Sequence, residues 1–130
     1  MQREGREKYR QQITLGPADI PIASADERFL KRLADLLEQH IADAGYDSEV
    51  LSHDMCMSRM QLNRKLNALT GQSTHAVVRE FRLQRAVQLL RKGADNVAGI
   101  AYEVGFSSLS HFARAFHERF GVVPSEYGKQ

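Results

Sequence analysis

The segment IAYEVGFSSLSHFARAF, Ile100 to Phe116, decides the fold. Its first half reads as a short apolar helix that stops at Gly105, where glycine suits the positive φ of a tight turn. Its second half restarts a helix at once. Phe112 and Phe116 fall on one side, with Phe120 beyond them, and Ser110, His111 and Arg114 fall on the other. A helix broken sharply and followed by one with a polar, basic face is the helix-turn-helix pattern, whose second helix is held out from a core.

The same pattern occurs earlier in the chain. Laid over 97–119, residues 48–69 match Leu51 to Ile100, Ser52 to Ala101, Met55 to Val104 and Cys56 to Gly105. After one extra residue in the second copy, Leu62 matches Phe112, Arg64 matches Arg114 and Leu66 matches Phe116. The chain therefore holds a degenerate repeat at an offset of 49–50 residues. Small residues, Ser52 and Ala101, stand where the paired helices must approach.

Between the copies, residues 74–92 form a helix with two apolar stripes. Ala76, Leu83, Ala86, Val87 and Leu90 make one; Val77, Val78, Phe81 and Leu89 make the other, on roughly the opposite side. A surface helix needs only one stripe, so two predict a helix clamped between packed units. Arg79, Arg82, Arg85 and Arg91 are expected to emerge between the stripes, with Arg82 and Arg85 bracing the units. The clamped helix spans roughly 28 Å at 1.5 Å per residue. That places the two second helices about 30–35 Å apart, near one turn of B-DNA.

Working outward, Ser24 and Glu27 make a capping box for a helix carrying Phe29, Leu33, Leu36, Leu37, Ile41 and Ala44, ended by Gly45. A short helix starts at Asp47 or Ser48 and runs through Met55; Ser58 with Gln61 opens another that stops at Gly71. Gly93 ends the clamped helix, and a short helix follows over about 98–104, capped by Asp95 or Asn96. Pro124 begins a last turn of helix, PSEY. No β-strand pattern stands out. The expected fold class is all-α, about seven helices, with two helix-turn-helix units joined by a long central linker helix. Residues 1–23 contain Pro17 and Pro21 and no periodic apolar face, and read as a linker or the tail of an upstream domain; 24–130 read as the folded domain.

Composition narrows the function classes. With 42% apolar and 26% charged residues, this is ordinary globular material. No run of about 18 apolar residues occurs, the first residues lack a signal-peptide core, and one cysteine permits no internal disulfide, so a cytoplasmic protein is expected. The net charge of +2 hides an asymmetry. Residues 26–56 carry three basic and eight acidic groups, net −5, whereas 57–130 carry eleven basic and five acidic, net +6. The basic part points to a polyanion partner, the alternative being a solvated charged surface.

The polar faces fit DNA. Arg59, Met60, Asn63, Arg64 and Asn67 share the side opposite Leu62 and Leu66; Ser107, Ser110, His111, Arg114 and Glu118 oppose Phe112, Phe116 and Phe120. Arginine can grip guanine with two hydrogen bonds and asparagine can do the same to adenine. Ser58, Arg59, Lys65, Ser107 and Ser108, at or near the helix starts, suit phosphate oxygens. Each assignment has a plainer alternative. Arg64 and Arg114 would otherwise be surface ion pairs, Asn63 and His111 solvated, Met60 packed, and Leu109 either against a thymine methyl or a partly buried core leucine.

The stretch IAYEVGFSSLSHFARAFHERFGVVPSEY resembles the C-terminal signature of the AraC-type transcriptional regulators. MSRMQLNRKLNALTG and RLQRAVQLL resemble their first reading helix and linker helix. The resemblance covers roughly residues 28–127. It implies two units reading adjacent major-groove segments, with base-reading positions falling on Met60, Asn63 and Arg64, then on Leu109, Ser110, His111 and Arg114. The 24–45 helix resembles in particular the output domain of bacterial hybrid two-component regulators. That implies duplex DNA and RNA polymerase as partners, an upstream receiver or sensor domain, no membrane contact by this segment, and no cofactor. Cys56 stands where the family has glycine and Ser52 where it has alanine, which predicts a strained or looser first turn.

Nothing in the sequence calls for catalysis. No glycine-rich phosphate loop, nucleophile elbow or His-Glu metal motif is present, so no enzyme is expected. His111 and His117 fall on different helix faces, which disfavours a metal, and Cys56 reads as a packed turn residue. A rival class is a helical protein-interaction module whose basic face meets an acidic partner. That rival gives no reason to repeat Arg64 at Arg114.

Overall fold

The computed structural model describes residues 24–93 and 96–127. The linker expected over 1–23, and Asp95, lie outside them. Among the described residues there are seven helices and no strand: α1 Ala25–Gln39, α2 Ser48–Asp54, α3 Arg59–Thr70, α4 Thr74–Arg91, α5 Val97–Glu103, α6 Leu109–Phe120 and α7 Pro124–Tyr127. The chain divides into two compact units at Asp35 and Leu36.

In the first, the Ser24 N–H donates to Glu27 Oε1 at 2.9 Å and the Glu27 N–H to Ser24 Oγ at 3.1 Å, the reciprocal cap that starts α1. Lys31 and Asp35 pair one turn apart on its exposed face at 3.4 Å.

The second unit begins inside α1. The helix ends at Gln39, not at Gly45 as the apolar spacing predicts. The following backbone turns tightly, with the Asp43 N–H donating to the His40 carbonyl and Tyr46 to Asp43, both at 3.0 Å. The cause lies in α4. Arg82 draws the carbonyls of Ile41, Asp43 and Tyr46 onto its guanidinium at 3.2–3.4 Å. The expectation that Arg82 emerges between the stripes is likewise corrected: it is 8% exposed.

The repeat is visible residue by residue. Leu51, Leu62 and Leu66 are fully buried, as are Phe112 and Phe116, with Ile100 at 2%. After α2 the Met57 N–H returns to the Ser52 carbonyl at 2.9 Å; after α5 the Phe106 N–H returns to that of Ala101, also at 2.9 Å. Cys56 (φ 60°) and Gly105 (φ 95°) are the left-handed residues that allow this closure. The first turn is therefore as closed as the second. The cost is a side chain held in a conformation glycine takes freely.

α4 is the shared wall. It packs on α2, α3 and α5. Leu83, Ala86, Val87 and Leu90 join Ile100, Val104, Phe106, Phe112 and Phe116 in one core, against which Phe120, Val122 and Tyr127 lean. Both stripes read from the sequence are half-buried or better. Asn96 caps α5, its side chain accepting from the Gly99 N–H at 3.1 Å. α7 closes the end of this core, with Tyr127 edge-on to Phe116 and its hydroxyl 3.1 Å from Arg91 Nη2.

Candidate nucleic-acid interface

Each reading helix has a fixed start. Ser58 accepts from the Gln61 N–H at 3.1 Å while the Ser58 N–H donates to Gln61 Oε1 at 3.0 Å. Ser108 accepts from the His111 N–H at 3.1 Å. Among the described residues neither serine hydroxyl donates to a protein acceptor, so each proton can be offered outward. Left-handed glycines, Gly71 (φ 77°) and Gly121 (φ 82°), end the two helices. Each helix is thus a twelve-residue rod with one buried edge.

Opposite that edge most of the expected residues stand in solvent. On α3, Arg59, Asn63 and Arg64 are exposed, Met60 is 69% exposed, and Lys65 is half-buried. On α6, Ser110, His111 and Arg114 are exposed and Leu109 is 41% exposed, so neither Met60 nor Leu109 is a core residue. Ser107 is exposed just ahead of α6. Among the described residues neither Arg64 nor Arg114 has an acidic partner, which leaves both guanidinium groups available. His111 meets Phe106 edge to face at 5.4 Å, and Phe106 meets Phe112 at 5.2 Å, so a core contact orients the imidazole.

Asn63 differs from the rest. Its Oδ1 accepts the Thr74 N–H at 2.9 Å, tying α3 to the start of α4. No spacing in the sequence signals this contact, because its partner lies eleven residues on. Two further groups carry no local signal in the sequence. His75 lines, with Arg79, Ser107 and His111, a cleft of about 160 Å³ beside α6. Tyr46 donates its hydroxyl to Asp54 Oδ2 at 2.7 Å and stacks on His40 at 4.3 Å, linking the turn after α1 to α2.

Arg82 holds the second turn. Its Nη1 donates to the carbonyls of Gly105 at 2.6 Å and Val104 at 3.3 Å. Burial lowers its pKa, and the nearby Asp43 charge opposes that. On α4, Glu80 accepts from Arg119 of α6 at 2.8 and 3.0 Å. The Arg119 hydrogen bond pulls the Glu80 carboxyl below its usual range, against desolvation. Arg85 of α4 pairs with Glu38 of α1 and so braces the structure. Among the described residues no helix is long and apolar enough to cross a membrane, and no group of three acidic, histidine or cysteine residues is placed to hold a metal ion.

Two capped, outward-facing helices at repeat-equivalent places on one shared helix define a double helix-turn-helix protein. A family model described as a helix-turn-helix domain matches residues 51–130. The chain belongs to the AraC-type helix-turn-helix family. It is 35% identical over 111 residues to a histidine kinase of Formosa agariphila, covering 85% of this chain and 8% of that protein. It is 43% identical over 74 residues to the HTH-type transcriptional regulator MtrA of Neisseria gonorrhoeae, covering 57% of this chain and 25% of that one. The chain thus spans a quarter or less of these relatives' lengths. Among solved structures, the DNA-binding domain of AdpA in complex with a target DNA superposes with a TM-score of 0.70 at 25% identity, over 77% of this chain and 89% of that one. The C-terminal domain of AraT, a response regulator of Geobacillus stearothermophilus, shares the fold with a TM-score of 0.73 at 23% identity, over 82% and 88%.

Proposed function

We propose that this chain binds double-stranded DNA sequence-specifically to regulate transcription, one reading helix in each of two adjacent major-groove segments. The observation that carries the reading is the pair Arg64 and Arg114, exposed and, among the described residues, without acidic partners at equivalent positions of two capped helices. Met60, Arg64, Leu109, Ser110, His111 and Arg114 face base edges, while the amide oxygen of Asn63 is engaged by Thr74. Ser58, Arg59, Lys65, Ser107 and Ser108 hold phosphates. Residues 24–130 act as the DNA-binding domain, and 1–23 as a linker or tail from an upstream domain. The kinase relative and the response-regulator fold match support an output-domain role behind a receiver or sensor domain, in the cytoplasm, with RNA polymerase as a further partner. The chain has no catalytic role in this reading.

Gel-shift selection from genomic fragments at two salt concentrations tests the proposal. Selected fragments should share a sequence, and affinity should fall by orders of magnitude between about 50 and 200 mM salt. Equal affinity for all sequences, or salt-insensitive binding, would sink it and favour an acidic protein partner.

A further inference from the structure

Asn63 sits on the exposed face of α3 beside Arg64, yet its amide oxygen is already engaged. Oδ1 accepts the Thr74 N–H at 2.9 Å, and the Thr74 hydroxyl also approaches it at 3.4 Å. Thr74 is the first residue of α4, so its N–H has no partner within the helix. The residue is 4% exposed, which leaves water little access to serve that N–H.

The second unit has the same turn and a different solution. At the 50-residue offset Gly71 corresponds to Gly121, Thr74 to Pro124 and Asn63 to Ala113. The Ser73 carbonyl accepts the Val77 N–H at 3.0 Å, and the Val123 carbonyl accepts the Tyr127 N–H at 3.1 Å, so the helix start is common to both. Proline has no N–H, and Ala113 therefore has nothing to satisfy. One unit supplies an acceptor; the other removes the donor.

We infer that Asn63 is a positioning residue that fixes how reading helix α3 meets shared helix α4, and that it does not grip adenine with both ends of its amide. A two-bond grip needs the oxygen and the NH2 together, and the oxygen is committed to Thr74. The positioning role stands on the structure alone; the statement about adenine rests on the DNA reading proposed above.

Thermal unfolding of the 130-residue chain tests the first part. Asn63→Ala should lower Tm by about 4–8 °C, since it strands a buried N–H. Asn63→Asp keeps an acceptor and puts negative charge at the start of α4, so Tm should hold. Thr74→Pro is compatible with the backbone, because Ser73 (φ −72°, ψ 163°) already has the extended conformation that precedes proline. In the Thr74→Pro background, Asn63→Ala should cost no further Tm. The inference is overturned by an equal Tm loss in both backgrounds or by no loss in the parent. If Thr74→Pro does not fold, equal losses for Asn63→Ala and Asn63→Asp overturn it. For the second part, the double variant should select the same DNA sequence as the parent, whereas relaxed preference at one base pair would make Asn63 a base reader. Arg64→Ala is the control: if it leaves preference intact, the DNA reading of α3 fails while the Tm comparison still stands.

Discussion

The carbonyl oxygen of Gly105 lies 2.6 Å from Nη1 of Arg82, and no side chain fits between them. A Cβ on Gly105 would sit 1.5 Å from that nitrogen and 2.3 Å from the Ile41 carbonyl. Glycine is thus required twice at this turn, for its positive φ and for the guanidinium beneath it. Cys56, its counterpart, meets only the first requirement, which is why a side chain survives there.

Gly105→Ala should therefore cost about 3 kcal/mol or more, through strain and displacement of Arg82. Cys56→Gly should instead stabilise by about 0.5–1 kcal/mol, the left-handed strain relieved exceeding the entropy added to the unfolded chain. Urea titrations of the two variants check this; losses of similar size would show that the turns are not related as described.

Arg82→Ala should destabilise by about 3 kcal/mol or more, because five carbonyls lose their donor together. Arg82→Lys should recover little, since an ammonium has three donors and no planar fork. Chemical unfolding of both variants against the parent measures it. A lysine variant as stable as the parent would contradict the geometry.

Glu80 has its pKa lowered below the usual 4.5, with the Arg119 hydrogen bond as the first cause. A depressed carboxylate stabilises the fold above its unfolded pKa and loses that contribution as pH falls through the folded value. Glu80→Gln should thus cost roughly 0.5–1 kcal/mol at neutral pH, discounted for a solvent-facing pair, and the gap from the parent should close as pH falls through the lowered Glu80 value. A gap that persists at acid pH would assign the loss to packing.

Arg64→Ala and Arg114→Ala should each weaken specific DNA binding by about 1–3 kcal/mol and relax preference at separate positions of the site. Arg59→Ala should weaken all sequences alike. Sequence selection with each variant separates the cases, and uniform weakening by Arg64→Ala or Arg114→Ala would make that residue a phosphate contact.

Spacing supplies a further test. The 18 residues of α4 span about 27 Å, and the proposed reading expects the two reading helices near one turn of B-DNA apart. A five-base-pair insertion between the two half-sites turns one of them to the far side of the duplex. Affinity should then drop to that of a single unit; undiminished binding would mean that only one unit reads DNA.

Most of this architecture was legible because it is written in local chemistry. Ser58 with Gln61, Gly71, Pro124 and the alternation of Phe112 and Phe116 with Ser110 and Arg114 each specify their own backbone within a few residues. The misreadings came from contacts distant in sequence. Ile41 and Ala44 continue a helical period, but Arg82, 41 residues beyond Ile41, bends that backbone into turns. Arg82 reads as a brace emerging between the stripes, and only the fold shows that it is buried among the carbonyls it holds. Asn63 looks like a base reader by its place on α3, and only the fold brings Thr74 to its oxygen.

α4 belongs to both halves of the repeat, and this bears on how the molecule comes apart. In the second half the corresponding element is α7, a single turn at the end of a core; in the first half it has been drawn out until it also serves as the spine of its neighbour. Neither half owns a complete interior without it. Loosening α3 or α6 thus exposes a face of the same helix, and the Glu80–Arg119 and Asn63–Thr74 contacts tie each reading helix to it. The two halves should therefore melt as one cooperative body, and a lesion in one reading helix should loosen the other as well.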